Sequence, residues 1–72
     1  MNTREYNKEK IVHYGQEVKQ KVYERGISVS EFARRINCSR NNVYNIFDRQ
    51  FIDIKLLQII SKVLEYDFIH KL

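Results

Sequence analysis

The sequence predicts an all-α protein, a compact bundle of four to five short helices. Apolar residues recur at spacings of three and four through several segments, the period of a helix with one buried face. Residues that favour helix starts, Ser28, Ser39 and Asp53, stand in front of three of those segments. The chain has 72 residues, no proline and two glycines, so no flexible linker or second domain is visible and residues 1–72 read as a single domain. A chain this short buries only about 60% of the surface its unfolded form exposes, and helices held by local contacts suit that size.

In chain order, residues 1–6 are expected to be frayed. Helix one is expected from about Asn7 to Arg25, with Ile11, Tyr14, Val18 and Val22 as its inner stripe. Gly26 is placed to end it, with Lys19, Lys21 and Arg25 near the negative end of its dipole. Ile27 then packs beneath the turn. Gly15 inside this helix costs roughly 1 kcal/mol relative to alanine, and marks either a close helix contact or the true start of the ordered helix. Helix two should run from Val29 to Ile36. Ser28 and Glu31 fit the S-x-x-E capping box, in which the hydroxyl takes an N3 amide and the carboxylate reaches back to the cap. Helix three follows from Arg40 to Phe47 behind Ser39. Residues 48–53 form a loop, and helix four spans Ile54 to about Leu64. On that last helix Leu56, Leu57, Ile59, Ile60, Val63 and Leu64 cover an arc of roughly 160°, more than one core face needs. Asp67 is placed to cap a short final turn holding Phe68, Ile69 and Leu72.

Residues 28–47 carry the most information. Phe32, Ala33 and Ile36 share one face of helix two, and Val43, Ile46 and Phe47 share one face of helix three. Cys38 points inward between them. Two helices of about eight residues joined by so short a turn must cross steeply, with Ala33 small enough for the crossing and Val43 opposite it. The outward face of helix three is polar: Asn41, Asn45 and Asp48 lie opposite the core, with Arg40, Tyr44 and Asn42 on the flanks. This is the layout of a helix-turn-helix that reads DNA.

These residues resemble the lambda-repressor-like (Cro/repressor type, XRE) helix-turn-helix domain. In that family an alanine is followed four residues on by a turn residue, usually glycine, then by Val or Ile at ten and another apolar residue at thirteen. Here those places hold Ala33, Asn37, Val43 and Ile46, with Phe32 and Ile36 at flanking apolar positions. The phrase IDIKLLQIISKVL resembles the family's fourth helix, with Asp53 as cap and Ile54, Leu57, Ile60 and Leu64 inward. The resemblance covers roughly Val18 to Phe68. The chain departs from the pattern in three places. Asn37 replaces the turn glycine and is expected at positive φ, which asparagine tolerates better than most residues. Val29 stands where the family often has a phosphate-contacting glutamine. Phe47, Asp48 and Arg49 replace a frequent Glu-Arg-Gly.

The resemblance implies sequence-specific binding of double-stranded DNA and a role as a transcriptional repressor. Helix three would enter the major groove while helix two lies across the backbone. Arg40, Asn41, Asn42 and Asn45 are the candidate base-reading residues, because Asn pairs with adenine N6 and N7 and Arg with guanine O6 and N7. Three asparagines in five residues are poor helix formers, where a purely structural surface would favour Glu, Lys or Ala. Ser28, Ser30, Ser39, Tyr44 and Arg49 are the candidate phosphate and positioning residues; capping alone also accounts for Ser28 and Ser39. Arg34 and Arg35 are either further phosphate clamps or ordinary surface charge. Ile59, Val63, Tyr66, Phe68 and Ile69, with Leu72, form the expected interface of a two-fold symmetric homodimer, unless helix one and the final turn cover them.

Composition limits the other classes. Thirteen Lys and Arg against nine Asp and Glu give a net charge of +4, compatible with a polyanion partner without requiring one. A single cysteine excludes an internal disulfide and a cysteine-based zinc site. His13 and His70 have no evident co-ligands, and no nucleophile–base set or paired carboxylates stand out. No cofactor and no enzymatic activity are expected. No apolar run approaches the ~18 residues of a membrane span, and the polar N-terminus is unlike a signal peptide, so a cytoplasmic protein is expected. Two alternatives remain. One is an antitoxin-type DNA-binding partner of a small operon, with a second protein bound to the same chain. The other is a protein-interaction module that has lost DNA binding, which Val29 and the mild charge favour.

Overall fold

The computed structural model describes residues 13–69. Within them the chain forms four α-helices and no strands: α1 (Tyr14–Glu24), α2 (Val29–Arg35), α3 (Arg40–Asp48) and α4 (Ile54–Leu64). α3 packs against both α1 and α2, and α1 also packs on α4. None of these helices is long and apolar enough to cross a membrane.

The first helix starts later than its apolar stripe implies. His13 is extended, at φ −121° and ψ 95°, and its Nδ1 accepts the Gln16 N–H at 3.1 Å. A residue in that region of φ/ψ space is outside a helix. α1 therefore begins at Tyr14 and does not run through from Asn7; the segment 1–6 expected to be frayed, and Ile11, lie outside the described residues. Val18 and Val22 are fully buried and Tyr14 packs against the core, as the spacing requires.

Three helices end in the same way. At the end of α1 the Gly26 N–H donates to the Tyr23 carbonyl at 3.0 Å and the Ile27 N–H to Val22 at 3.3 Å, with Gly26 at φ +69°. After α2 the Asn37 and Cys38 N–H groups reach the Arg34 and Ala33 carbonyls at 3.1 and 2.9 Å, with Asn37 at φ +63°. After α4 the Glu65 and Tyr66 N–H groups reach the Lys62 and Ser61 carbonyls at 3.3 and 3.0 Å, with Glu65 at φ +54°. Each is a Schellman closure, which needs one left-handed residue to turn the chain back on its own carbonyls. Asn37 behaves as expected from its type. Glu65 gives no such signal, and its Cβ is strained there. Arg25 supports this last turn: its Nε and Nη2 donate to the Leu64 and Glu65 carbonyls at 2.8 and 3.0 Å, tying the ends of α1 and α4 together.

The helix starts follow the side chains in front of them. Ser28, Ser39 and Asp53 accept the N–H groups of Glu31, Asn42 and Leu56 at 3.1, 3.2 and 3.2 Å. Only half of the expected capping box forms. The Glu31 carboxylate binds Arg34 and Arg35, two guanidiniums one turn further along α2.

Phe32, Ala33, Val43, Ile46, Phe47, Leu57, Ile60 and Leu64 all lie in one core. Ile54 does not: it is 59% exposed at the first position of α4, contrary to the inward place the fourth-helix pattern gives it. Ile52 in the preceding loop is buried instead, and its neighbour Phe51 is exposed. Phe68 is fully buried.

Candidate nucleic-acid interface

The outward face of α3 is set by what its inner face buries. Val43, Ile46 and Phe47 are 0–4% exposed, and the helical period then turns Asn41, Asn45 and Asp48 to the opposite side. Arg40, Asn41, Asn42, Tyr44, Asn45, Asp48 and Arg49 are all exposed. Among the described residues no hydrogen bond engages the side chains of Arg40, Asn41, Asn42, Asn45 or Arg49. The cations of α2 differ: Arg35 Nε lies 2.8 Å from Glu31 Oε2, and Arg34 grips the same carboxylate with Nε and Nη2. The hydrogen bonds from Arg34 and then Arg35, with the charges behind them, hold the Glu31 carboxyl below the usual glutamate range. Arg34 and Arg35 are thus occupied, while Arg40 and Arg49 stand unpaired at the two ends of α3.

The expected base-reading residues do not form one uniform set. Asn41 and Asn45 project directly away from the core. Arg40 flanks them at the first turn. Asn42 sits on the other flank, where it lines a shallow crevice with Ile36, Cys38, Ile46, Arg49 and Leu56. Cys38 is half-buried there; burial raises its thiol pKa, and its Sγ lies 3.4 Å from the Ser39 carbonyl. Tyr44 packs edge-on to Phe47, at 6.3 Å between centroids and 81° between planes, which leaves its outer edge in solvent. Of the expected positioning residues, Ser28 and Ser39 act as caps, and Ser30 is exposed on the first turn of α2.

The anchoring of α3 was not visible in the sequence. Just past its C-terminus, the carbonyls of the following segment take the N-terminal amides of α1. Tyr14 and Gly15 donate to the Gln50 and Arg49 carbonyls, both at 2.9 Å, and Gln16 Nε2 reaches the Phe47 carbonyl at 3.3 Å. These carbonyls satisfy two orphan amides at the start of α1, and the negative end of α3 lies close against the positive end of α1. A Cβ on Gly15 would lie 2.4 Å from the Ile46 and Phe47 carbonyl oxygens and 2.5 Å from that of Arg49. Gly15 thus marks both a close helix contact and the start of the helix. An isolated glycine in a periodic helix was the only hint the sequence held.

The charges on α3 oppose its own stability. α1 and α2 each place an acid in the first turn and a base in the last, as the helix dipole favours. α3 has no acid in the first turn and no base in the last; it carries Arg40 at its positive end and Asp48 at its negative end.

The surface expected to self-associate is reduced in the fold. Phe68 belongs to the core and is not available to a partner. Tyr66 is half-buried, edge-on to Phe68 at 4.8 Å, with the Lys21 ammonium 4.1 Å above its ring. Val63 and Ile69 are half-buried against the core, Ile59 is 46% exposed, and Leu72 lies outside the described residues. Of the coverage left open by the sequence, Phe68 is buried and Tyr66 is capped by Lys21 of α1, while Ile59, Tyr66 and Ile69 still line an open groove along α4.

Among the described residues no group of three or more His, Cys, Asp and Glu side chains gathers as a metal site. Compared with protein-family models, curated proteins and solved structures, the chain matches none.

Proposed function

We propose that this protein binds double-stranded DNA in a sequence-dependent way, with α3 in the major groove, and acts as a lambda-repressor-like transcriptional regulator. The observation that carries this reading is that α3 is built against its own helical preferences. Asn41, Asn42 and Asn45 are weak helix formers, and Arg40 and Asp48 both oppose the dipole, at about 0.3–1 kcal/mol each. A helix kept only for packing has no use for these residues on its solvent face. A helix that meets a duplex does: Arg40 adds to the positive end that meets phosphate, and the asparagines offer donor–acceptor pairs to base edges. Their lack of internal partners leaves those groups ready to bind.

Val29, where the resemblance expects a glutamine, is half-buried against the core and supplies no phosphate contact. Positioning on the backbone then falls to Arg40, Arg49 and Tyr44. Two copies, paired through the exposed Ile59 edge of α4, would contact two half-sites about one helical turn apart.

The test is selection of bound duplexes from a random pool, followed by titration of the preferred site and a random duplex. Asn41→Ala should cost about 1–3 kcal/mol on the preferred site and little on random DNA. Arg49→Ala should weaken both alike and flatten the salt dependence by about one unit of slope. Equal losses on both duplexes for Asn41→Ala would show that this face does not read sequence. Absence of salt-dependent duplex binding would leave the chain a protein-interaction module.

A further inference from the structure

We propose that the central stripe of α3 reads adenine and rejects guanine, through Asn41 and Asn45. This rests on the DNA-binding reading above and adds the base class the protein selects. The stripe opposite the core consists of Asn41, Asn45 and Asp48, with no cation in it. Guanine offers two acceptors, O6 and N7, to the major groove, and its usual partner is an Arg or Lys with two donors. Adenine offers one acceptor, N7, and one donor, N6. A carboxamide matches that pair with its own N–H and carbonyl oxygen. Both asparagine side chains are exposed and free of internal hydrogen bonds among the described residues, so neither is fixed in an orientation that blocks the match.

Asp48, an acceptor only, lies on the same side as Asn45 and can accept from an exocyclic amino group, that of adenine or of cytosine, but not from guanine O6 or N7. The neighbouring cations, Arg40 at the first position of α3 and Arg49 just past its end, lie off this stripe, so guanine readout by an arginine is confined to the edge of the site.

The spacing sets the register. Residues i and i+4 are about 6 Å apart along a helix axis, and base pairs are about 3.4 Å apart. With α3 lying along the groove, Asn41 and Asn45 face base pairs about two steps apart. The site should therefore hold two adenines with one base pair between them, on either strand.

The experiment uses the full chain and the duplex selected from the random pool. Each central adenine is replaced singly by 7-deazaadenine, which keeps Watson–Crick pairing and the amino group but removes the N7 acceptor. Each replacement should weaken binding roughly five- to 150-fold, the equivalent of about 1–3 kcal/mol. Asn41→Ala should become insensitive to one replacement and Asn45→Ala to the other, each variant first checked for parental helix content. A selected site with guanine at its centre overturns the proposal and leaves DNA binding intact. So does a sequence preference that survives both replacements unchanged. Failure to bind any duplex overturns both readings.

Discussion

Gly15→Ala tests how α3 is held. Alanine ordinarily improves a helix by about 1 kcal/mol over glycine. Here the added Cβ would lie 2.4 Å from two carbonyl oxygens and 2.5 Å from a third. All three are backbone atoms, so no side-chain rotation relieves the contact. The two helices must part by about 1 Å to restore ordinary van der Waals distance, an overpacking cost of about 1–3 kcal/mol. That shift also stretches the bonds from Tyr14 and Gly15 to the Gln50 and Arg49 carbonyls, each worth about 1 kcal/mol. Net of the helical gain, the variant should lose about 2–4 kcal/mol. A domain of this size has roughly 4–11 kcal/mol in total, so the urea midpoint should fall by a large fraction. Gly26→Ala is the control. Its Cβ meets nothing within 4 Å, but its φ of +69° remains, so it should lose only the left-handed strain of about 1–2 kcal/mol. If Gly15→Ala melts at or above the parent, the close approach of α1 to the end of α3 is wrong.

Four further outcomes are expected. Glu65→Gly should stabilise the fold by up to about 1 kcal/mol, raising the melting temperature by a few degrees, because glycine adopts the left-handed region freely. Asn37→Gly should be neutral or slightly stabilising by the same logic, and Asn37→Val clearly destabilising; a valine variant that melts with the parent would contradict the turn. Arg25→Met should cost about 1–2 kcal/mol in urea denaturation, since it removes the bonds to the Leu64 and Glu65 carbonyls but keeps the apolar stem. Ile59→Asp should shift sedimentation at micromolar concentration from dimer to monomer without lowering the melting temperature of the monomer; a monomer for both proteins, free and on DNA, would remove the symmetric pairing.

Features set by a few neighbouring residues were legible in the sequence. Ser28, Ser39 and Asp53 cap the helices assigned to them, because a cap needs only its own side chain and an amide three residues on. Spans for α2 and α3 agree within one residue at their ends, and α4 agrees at both. The positive φ of Asn37 followed from the resemblance, which puts it in the place of a turn glycine, and from asparagine's tolerance of that region. The polar face of α3 followed from the helical period, since burying Val43, Ile46 and Phe47 leaves the asparagines no other side.

What depended on distant partners was decided by tertiary structure. Periodicity alone carried α1 back towards Asn7, but the carbonyls of Arg49 and Gln50 receive its first amides at Tyr14 and Gly15. Glu31 fits a capping box by spacing, yet two guanidiniums compete for its carboxylate and win, because opposite charge outweighs a neutral amide. Ile54, expected inward, is exposed and Ile52 in the preceding loop is buried instead, since the path of the loop, not the helical period, selects which isoleucine reaches the core. Phe68 looked like surplus surface and is instead part of the core. The sequence by itself determined the helices and the chemistry of the face they present. Tertiary structure decided where α1 starts, how firmly α3 is held, and which apolar side chains reach the core, because those depend on groups that meet only after the chain has folded.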